Sequence, residues 1–349
     1  LSYNDSMMNN TLTALKGIKV GHATHPEHLT GCTVVLFDRG LPVSYTSHGG
    51  APGTIATENL NNGKEFETRD GLFIAGGSMN GLMAAATINR ELIKQGLGQK
   101  VGRTVMPVFS GAIVWDLSMG QFQFDPEYGA EALLSTTDNP VTSGNVGAGT
   151  GTSVGKFQTL EQGTKKGAMK AGVGSARINL GEHGIVCALT VVNALGNIIL
   201  PNGEILAGNR DENKRFKDFD DTIDFVTGEQ RTNTTISIIG INIDLKSREN
   251  YERVAQLAAH GQVRAINPVN TSLDGDTVFV FSTQEHESIM NNNGKYFKTP
   301  DWPAFDVDLI GHTAAKAVQE SIYDAVRSAE TIQFADGYKG IIPSVNDYS

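Results

Sequence analysis

The run Asn233-Thr234-Thr235 closes a charged stretch, KRFKDFDDTIDFVTGEQRTN, and opens an abrupt apolar one, ISIIGINI. A threonine at such a boundary can do chemistry if the bond before it is cut. Its hydroxyl is a weak nucleophile at neutral pH and needs a base within hydrogen-bond reach. Cleavage before Thr234 would free an α-amine of pKa about 7.7–8.0 beside that hydroxyl, so one residue would supply nucleophile and base. No protease is required: Thr234 attacks the Asn233 carbonyl, the acyl group shifts from nitrogen to oxygen, and water hydrolyses the ester. The residues alone equally allow a polar linker entering a buried strand.

Other candidates for chemistry are weaker. GNVGAGTGTSVGK, residues 144–156, resembles a phosphate loop but departs from it, with Thr150 in place of the first glycine and Phe157 in place of the magnesium-binding hydroxyl. Close packing of backbone is the better reading of these glycines. His22, His25 and His28 are spaced as metal ligands on a helix would be, but Pro26 and the strand-like KGIKV before them predict a solvated loop and no metal. Asn233-Thr234-Thr235 and Asn270-Thr271-Ser272 are also glycosylation sequons, without a secretory signal to support that reading.

A formal charge of -10 and a pI near 5.3 disfavour a phosphate-binding surface and nucleic acid as a partner. Cys32 and Cys187 lie in apolar runs and read as buried small hydrophobes. No stretch has the length and apolarity of a membrane span, and the cytoplasm is the expected compartment.

The elements that must position Thr234 follow from periodicity. KGIKVGH, CTVVLF and PVSYTS read as strands, with Asp38-Arg39-Gly40 as a turn between the last two. Helical spacing runs from about Ser78 to Gln95 and again in PEYGAEALLS. AGVGSARINL and GIVCALTVVN are strands joined at Gly181-Glu182-His183-Gly184. Beyond Thr234 the expected order is strand, helix (about Arg248 to His260), strand (TVFVFST) and helix (about Leu309 to Ala329). Grouped strands and grouped helices predict an α+β fold of packed sheets with helices outside, without a clear domain boundary.

Seven motifs, in order, carry a family resemblance: HGGAPGT (48–54), AGGSMNGLMAA (75–85), AIVWDL (112–117), VGAGTGTSVGK (146–156), VVNALGNI (191–198), NTTIS (233–237) and DGDTVF (274–279). From about Lys16 to Ala329 the chain resembles the self-processing aminopeptidases and amidases, which include L-aminopeptidase/D-alanine-esterases, β-peptidyl aminopeptidases and nylon-oligomer endohydrolases. The resemblance implies a four-layer αββα sandwich, as in ornithine acetyltransferases. It implies a cut between Asn233 and Thr234 into pieces 1–233 and 234–349 that stay together as one intertwined domain, after a mobile linker at about 211–233. It makes Thr234 the nucleophile, gives the Asn193 amide to the oxyanion, sets Lys156 beside the nucleophile, and has Asp274 and Asp276 orient the amine and hydroxyl.

From the residues alone, Asp274 and Asp276, two apart before a strand, could face one side, or form an ordinary Asp-Gly turn. Asn193 could begin a turn and Lys156 could end a solvated loop. Trp115 stands where several relatives carry tyrosine, and is the expected substrate contact. The Asp274/Asp276 pair replaces the serine and glutamate of the β-peptidyl branch, which points to the nylon-oligomer branch.

The expected function is therefore amide hydrolysis on small peptides, amino-acid amides or ω-amino-acid oligomers, with acyl transfer or a non-catalytic binding role as alternatives. The expected assembly is a homo-oligomer of two-chain units, without cofactor, metal or membrane. If Asn233-Thr234 is the cut, denatured protein should run as pieces of roughly 25 and 12 kDa, in proportion to length. Edman sequencing of the smaller piece should begin Thr-Thr-Ile-Ser. A chain that stays whole while hydrolysing amides at full rate would contradict the reading.

Overall fold

The structure is a computed structural model that describes residues 8–65, 68–117, 124–157, 167–211, 213–221, 233–287, 304–333 and 341–347. Most of the expected linker, 212 and 222–232, lies outside the described residues. The longer strands are β1 (Ile18–His25), β2 (Thr30–Ser47), β3 (Thr68–Ala75), β4 (Phe109–Ile113), β5 (Val173–Asn179), β6 (Ile185–Val191), β7 (Ile236–Ile243) and β8 (Thr277–His286). The helices are α1 (Ala84–Gln95), α2 (Glu127–Leu134), α3 (Arg248–Ala258), α4 (His260–Ala265) and α5 (Ala304–Arg327).

These strands form two sheets that share one strand. The first half of β2 pairs with β1 and β3, and its second half pairs with β8. The order is then β5-β6-β7-β8-β2-β3-β4, with the two-residue strand Thr54–Ile55 on the edge of β4. The expected turn at Asp38-Arg39-Gly40 does not form. Those residues are exposed inside an 18-residue strand, where the register with β3 shifts between Leu36 and Leu41. A bulge absorbs the turn-forming residues, re-aims the strand and lets it pass from one sheet to the other.

Three cores separate four layers. Val34, Phe73 and Ala75 of the first sheet pack on Ile88 and Leu92 of α1 and on Tyr128 and Leu133 of α2. Leu72 and Ile74 of the first sheet meet Leu189, Ile236, Ile238, Phe279 and Phe281 of the second. On the other face of the second sheet, Ile239, Ile241, Val278 and Val280 meet Val254 of α3 and Ile310, Val318 and Ile322 of α5. This is the αββα sandwich.

It also explains the isoleucine run. All eight residues of β7 are buried because alternate side chains enter two different cores, so the strand has no solvent face to carry polar residues. The helices follow the periodic segments, with Ser247 capping α3 by accepting from Asn250 N at 3.4 Å.

Ile239→Ala should cost about 2–5 kcal/mol, since it removes a fully buried side chain between sheet and helices. A urea titration measures this. A loss below about 1 kcal/mol would mean that the layer is not tightly packed there.

Candidate active site

The topology delivers the chemical residues to one end of the second sheet. β7 and β8 run parallel with Ile236 opposite Thr277, so the residues preceding each strand lie side by side and Asn233 pairs with Asp274. β6 runs antiparallel to β7 with Val191 opposite Ile236, which brings Asn193 to the same end. β2 runs antiparallel to β8 with Ser47 opposite Thr277, which brings in the HGGAPGT segment. There Ala51 N donates to Asp274 O at 2.8 Å, and His48 N to Asp276 O at 3.1 Å.

Thr234 is buried at the convergence. Its N–H donates to Asn193 O at 3.0 Å, and its hydroxyl donates to the carbonyl oxygen of Asn233 across the bond that precedes it. Asn233 is held by its backbone, with its N–H on Leu273 O at 3.0 Å and its carbonyl accepting from Gly275 N at 2.8 Å. A Cβ on Gly275 would lie 2.9 Å from the Thr234 hydroxyl oxygen, so the glycine leaves that hydroxyl its room.

Lys156 and Asn193 are both buried, which rules out the solvated-loop alternative for the lysine. Lys156 Nζ donates to Asn193 O at 2.8 Å and to Asn193 Oδ1 at 2.7 Å. Ser153 N also donates to Oδ1 at 3.2 Å, while Asn193 Nδ2 donates to Trp115 O at 2.7 Å. Donors on one side and an acceptor on the other fix which way the amide points. Trp115 itself is half-buried and enters the site through its backbone carbonyl.

The two carboxylates divide their work. Asp276 Oδ1 accepts from Thr235 N at 2.6 Å and Oδ2 from Asn270 N at 2.9 Å, so it braces the residue after Thr234. Asp274 Oδ2 accepts from Thr271 N at 2.7 Å, and its buried Oδ1 has no hydrogen-bond partner among the described residues. Burial, and then the Asp274 charge, push Asp276 up to about 7. Asp274 is also raised, chiefly by burial, and Lys156 opposes both shifts. Upward shifts of a buried carboxylate pair are a feature of sites that handle protons.

Two further buried charges flank the site without having been singled out from the sequence. Asp116, next to Trp115, accepts from Thr30 Oγ1 at 2.7 Å and Gly77 N at 2.8 Å, and burial pushes it up to about 6. Lys170 donates to Gly149 O at 2.9 Å and to Ala171 O, and burial lowers it to about 7. The visible signal for Lys170 was a lone charge between Met169 and Ala171 in an otherwise small and apolar run.

The glycine-rich segment is tightly packed, as expected. Gly155 has φ +68°, and a Cβ there would lie 2.0 Å from Asn209 N. The histidine reading needs correction. His22 lies in β1, not in a loop, with Nδ1 3.0 Å from Thr33 Oγ1 and Nε2 sealed from solvent; burial lowers its ring to about 4. His25 ends β1 and contacts Glu27 at 3.2 Å and Glu131 at 2.8 Å, while His28 contacts the Tyr128 hydroxyl at 2.5 Å. None of the three contacts Thr234, Asn193 or the Asp274/Asp276 pair.

The fold is that of the N-terminal-nucleophile hydrolases. An L-aminopeptidase D-Ala-esterase/amidase from Ochrobactrum anthropi, described as a variant of that fold, aligns with a TM-score of 0.70 at 17% identity over 96% of this chain and 91% of its own. A β-aminopeptidase from a Burkholderia species aligns with a TM-score of 0.67 at 16% identity over 97% and 90%.

Residues 10–340 match the model of Peptidase family S58, and the chain belongs to that family. It is 30% identical to an uncharacterised aminopeptidase of Mycobacterium leprae over 96% of this chain and 94% of the relative. It is also 30% identical to a 6-aminohexanoate-oligomer endohydrolase of Kocuria over 77% and 74%. It is a hydrolase acting on amide bonds.

Lys170 offers a test of the buried charges. Its ammonium is costly to bury, so the folded form releases a proton near 7 where the unfolded chain does so near about 10.4. The cost is fully present below 7 and gone above the unfolded value, so stability rises with pH between them. Replacing Lys170 by Met should therefore stabilise more at pH 6.5 than at pH 10, read as the difference between paired urea titrations. A gain independent of pH would contradict the lowered value.

Proposed function

We propose that the chain is an N-terminal-threonine amidohydrolase that activates itself by cutting between Asn233 and Thr234. The observation that carries this reading is the placement of Thr234: buried, its hydroxyl turned onto the preceding carbonyl, at the sheet end where Lys156, Asn193, Asp274 and Asp276 converge. Attack through the hydroxyl makes an ester at Thr234, and hydrolysis of that ester frees the α-amine. The amine keeps Asn193 O as its hydrogen-bond partner, on the same carbonyl that Lys156 holds.

In turnover the amine takes the hydroxyl proton as Thr234 attacks a substrate amide, and the second N–H of the Asn193 amide serves the oxyanion. Lys156 fixes that amide, Asp276 holds Thr235, and Asp274 supplies the open acceptor. Water then releases the acyl group. Trp115 borders the substrate, and its lack of a phenolic hydroxyl leaves the oxyanion to Asn193. Small peptides, amino-acid amides and ω-amino-acid oligomers fit the reading, the last supported by the similarity to a 6-aminohexanoate-oligomer endohydrolase.

The pieces 1–233 and 234–349 remain one body. β7 pairs with β6 and β8 pairs with β2, so both central strands of the second piece are bordered by strands of the first.

Thr234→Ala should give a folded, uncut and inactive chain, since the methyl group keeps bulk and removes the attacking oxygen. Thr234→Ser should keep part of both reactions. Asp276→Ala should process slowly and shift the activity profile. Losing a negative charge makes the nearby ammonium easier to deprotonate, so the limb set by the free amine moves to lower pH. Gel analysis and pH–rate profiles check this, and an active Thr234→Ala protein would contradict it.

A further inference from the structure

Self-cleavage and turnover both pass through a tetrahedral oxyanion, but the two oxygens need not sit in the same place. In the continuous chain the oxygen that would become the first oxyanion is the carbonyl of Asn233. Among the described residues, two donors reach it: the Thr234 hydroxyl, which is the attacking group, and the backbone N–H of Gly275 at 2.8 Å. The Asn193 amide is engaged elsewhere, with Nδ2 on Trp115 O at 2.7 Å and Oδ1 under Lys156 at 2.7 Å. Asn193 touches the scissile bond on its other side, where its backbone carbonyl receives Thr234 N at 3.0 Å.

We propose that the backbone N–H of Gly275 is the oxyanion donor for self-cleavage, separate from the Asn193 amide that serves turnover. The inference rests on the self-cleaving reading of Thr234 and adds to it the group that stabilises the first transition state. The donor is built by the sheet. The parallel ladder of β7 and β8 continues past both strands, with Thr277 N on Thr235 O at 3.2 Å, then Gly275 N on Asn233 O and then Asn233 N on Leu273 O at 3.0 Å, so one of its regular bonds falls on the scissile carbonyl. Asn233 adds nothing through its side chain, whose Oδ1 and Nδ2 are buried and have no hydrogen-bond partner among the described residues.

The step balances as follows. The Thr234 hydroxyl oxygen bonds to the Asn233 carbonyl carbon, and its proton passes to the Asp274/Asp276 carboxylates. The carbonyl electron pair moves onto oxygen, facing Gly275 N–H. On collapse the carbon–nitrogen bond breaks, and the proton goes to the departing Thr234 nitrogen. Water later cleaves the ester, leaving the Asn233 carboxylate and restoring the hydroxyl, and the proton released is taken up by the new α-amine of Thr234. A preorganised donor already at hydrogen-bond distance strengthens as charge gathers on its acceptor, without reorganisation at the moment of reaction.

A side-chain substitution cannot remove this donor cleanly, because a Cβ at Gly275 would press on the Thr234 hydroxyl at 2.9 Å. The test is an amide-to-ester replacement of the full-length chain, made by translation with the hydroxy acid corresponding to glycine at position 275. A second chain carries the hydroxy acid corresponding to threonine at position 277, which removes the neighbouring bond of the same ladder. The readout is the rate at which the two pieces appear on a denaturing gel. The ester at 275 should slow cleavage by about 10²-fold or more, while the ester at 277 changes it by less than about threefold.

Equal slowing by both would assign the bond to strand pairing, and no slowing at 275 would remove Gly275 from the reaction; either overturns the proposal. An unmodified chain that never cleaves would instead overturn the self-cleaving reading on which it rests.

Discussion

Everything at the candidate site depends on the parallel pairing of β7 with β8 at the register Ile236 to Thr277. Parallel pairing places the beginnings of two strands side by side, which an antiparallel pair cannot do. Asn233-Thr234 therefore meets Asp274-Gly275-Asp276 across one ladder step, although Thr234 and Asp274 are forty positions apart in the sequence. A slip of one residue would carry the β7 side chains into the opposite cores and move Thr234 off its neighbours. The two cores on either side of β7 thus hold the chemistry in register.

Charge is the second constraint. Asp116, Lys156, Lys170, Asp274 and Asp276 are all buried around this end of the sheet. Such groups are costly to desolvate, and each is held here by hydrogen bonds to backbone or neutral side-chain groups. Burial raises both members of the Asp274/Asp276 pair, and the Lys156 charge only partly opposes it. Under the proposed cleavage a new α-amine at Thr234 and a new carboxylate at Asn233 arise together, so the break adds one charge of each sign beside these groups.

Much of the fold was legible because each element carries one clear period. Helices α1, α2, α3 and α5 follow their apolar spacing, and the β5–β6 hairpin follows its polar turn. The passage of β2 between sheets was hidden, since Asp38-Arg39-Gly40 reads as a turn yet lies in a bulged strand. His22 was misplaced for a related reason: it ends the run KGIKVGH that reads as a strand, yet three-residue spacing grouped it with His25 and His28, and nothing local showed that β1 would run on to His25. The motifs marked the residues that converge on Thr234, but not their hydrogen bonds. The brace from Asp276 to Thr235 N, the grip of Lys156 on Asn193 and the Gly275 bond to Asn233 O depend on sheet register, which one sequence does not display.

The central claim is that catalysis runs through the hydroxyl of Thr234 as a new N-terminus. It is tested most directly by trapping the acyl-enzyme from a slowly hydrolysed ester or amide, followed by digestion and mass spectrometry of the peptides. The account predicts one acyl adduct, carried on the hydroxyl of the first residue of a peptide beginning Thr-Thr-Ile-Ser. An adduct on any other residue, or turnover by a chain in which Thr234 remains joined to Asn233, would contradict it.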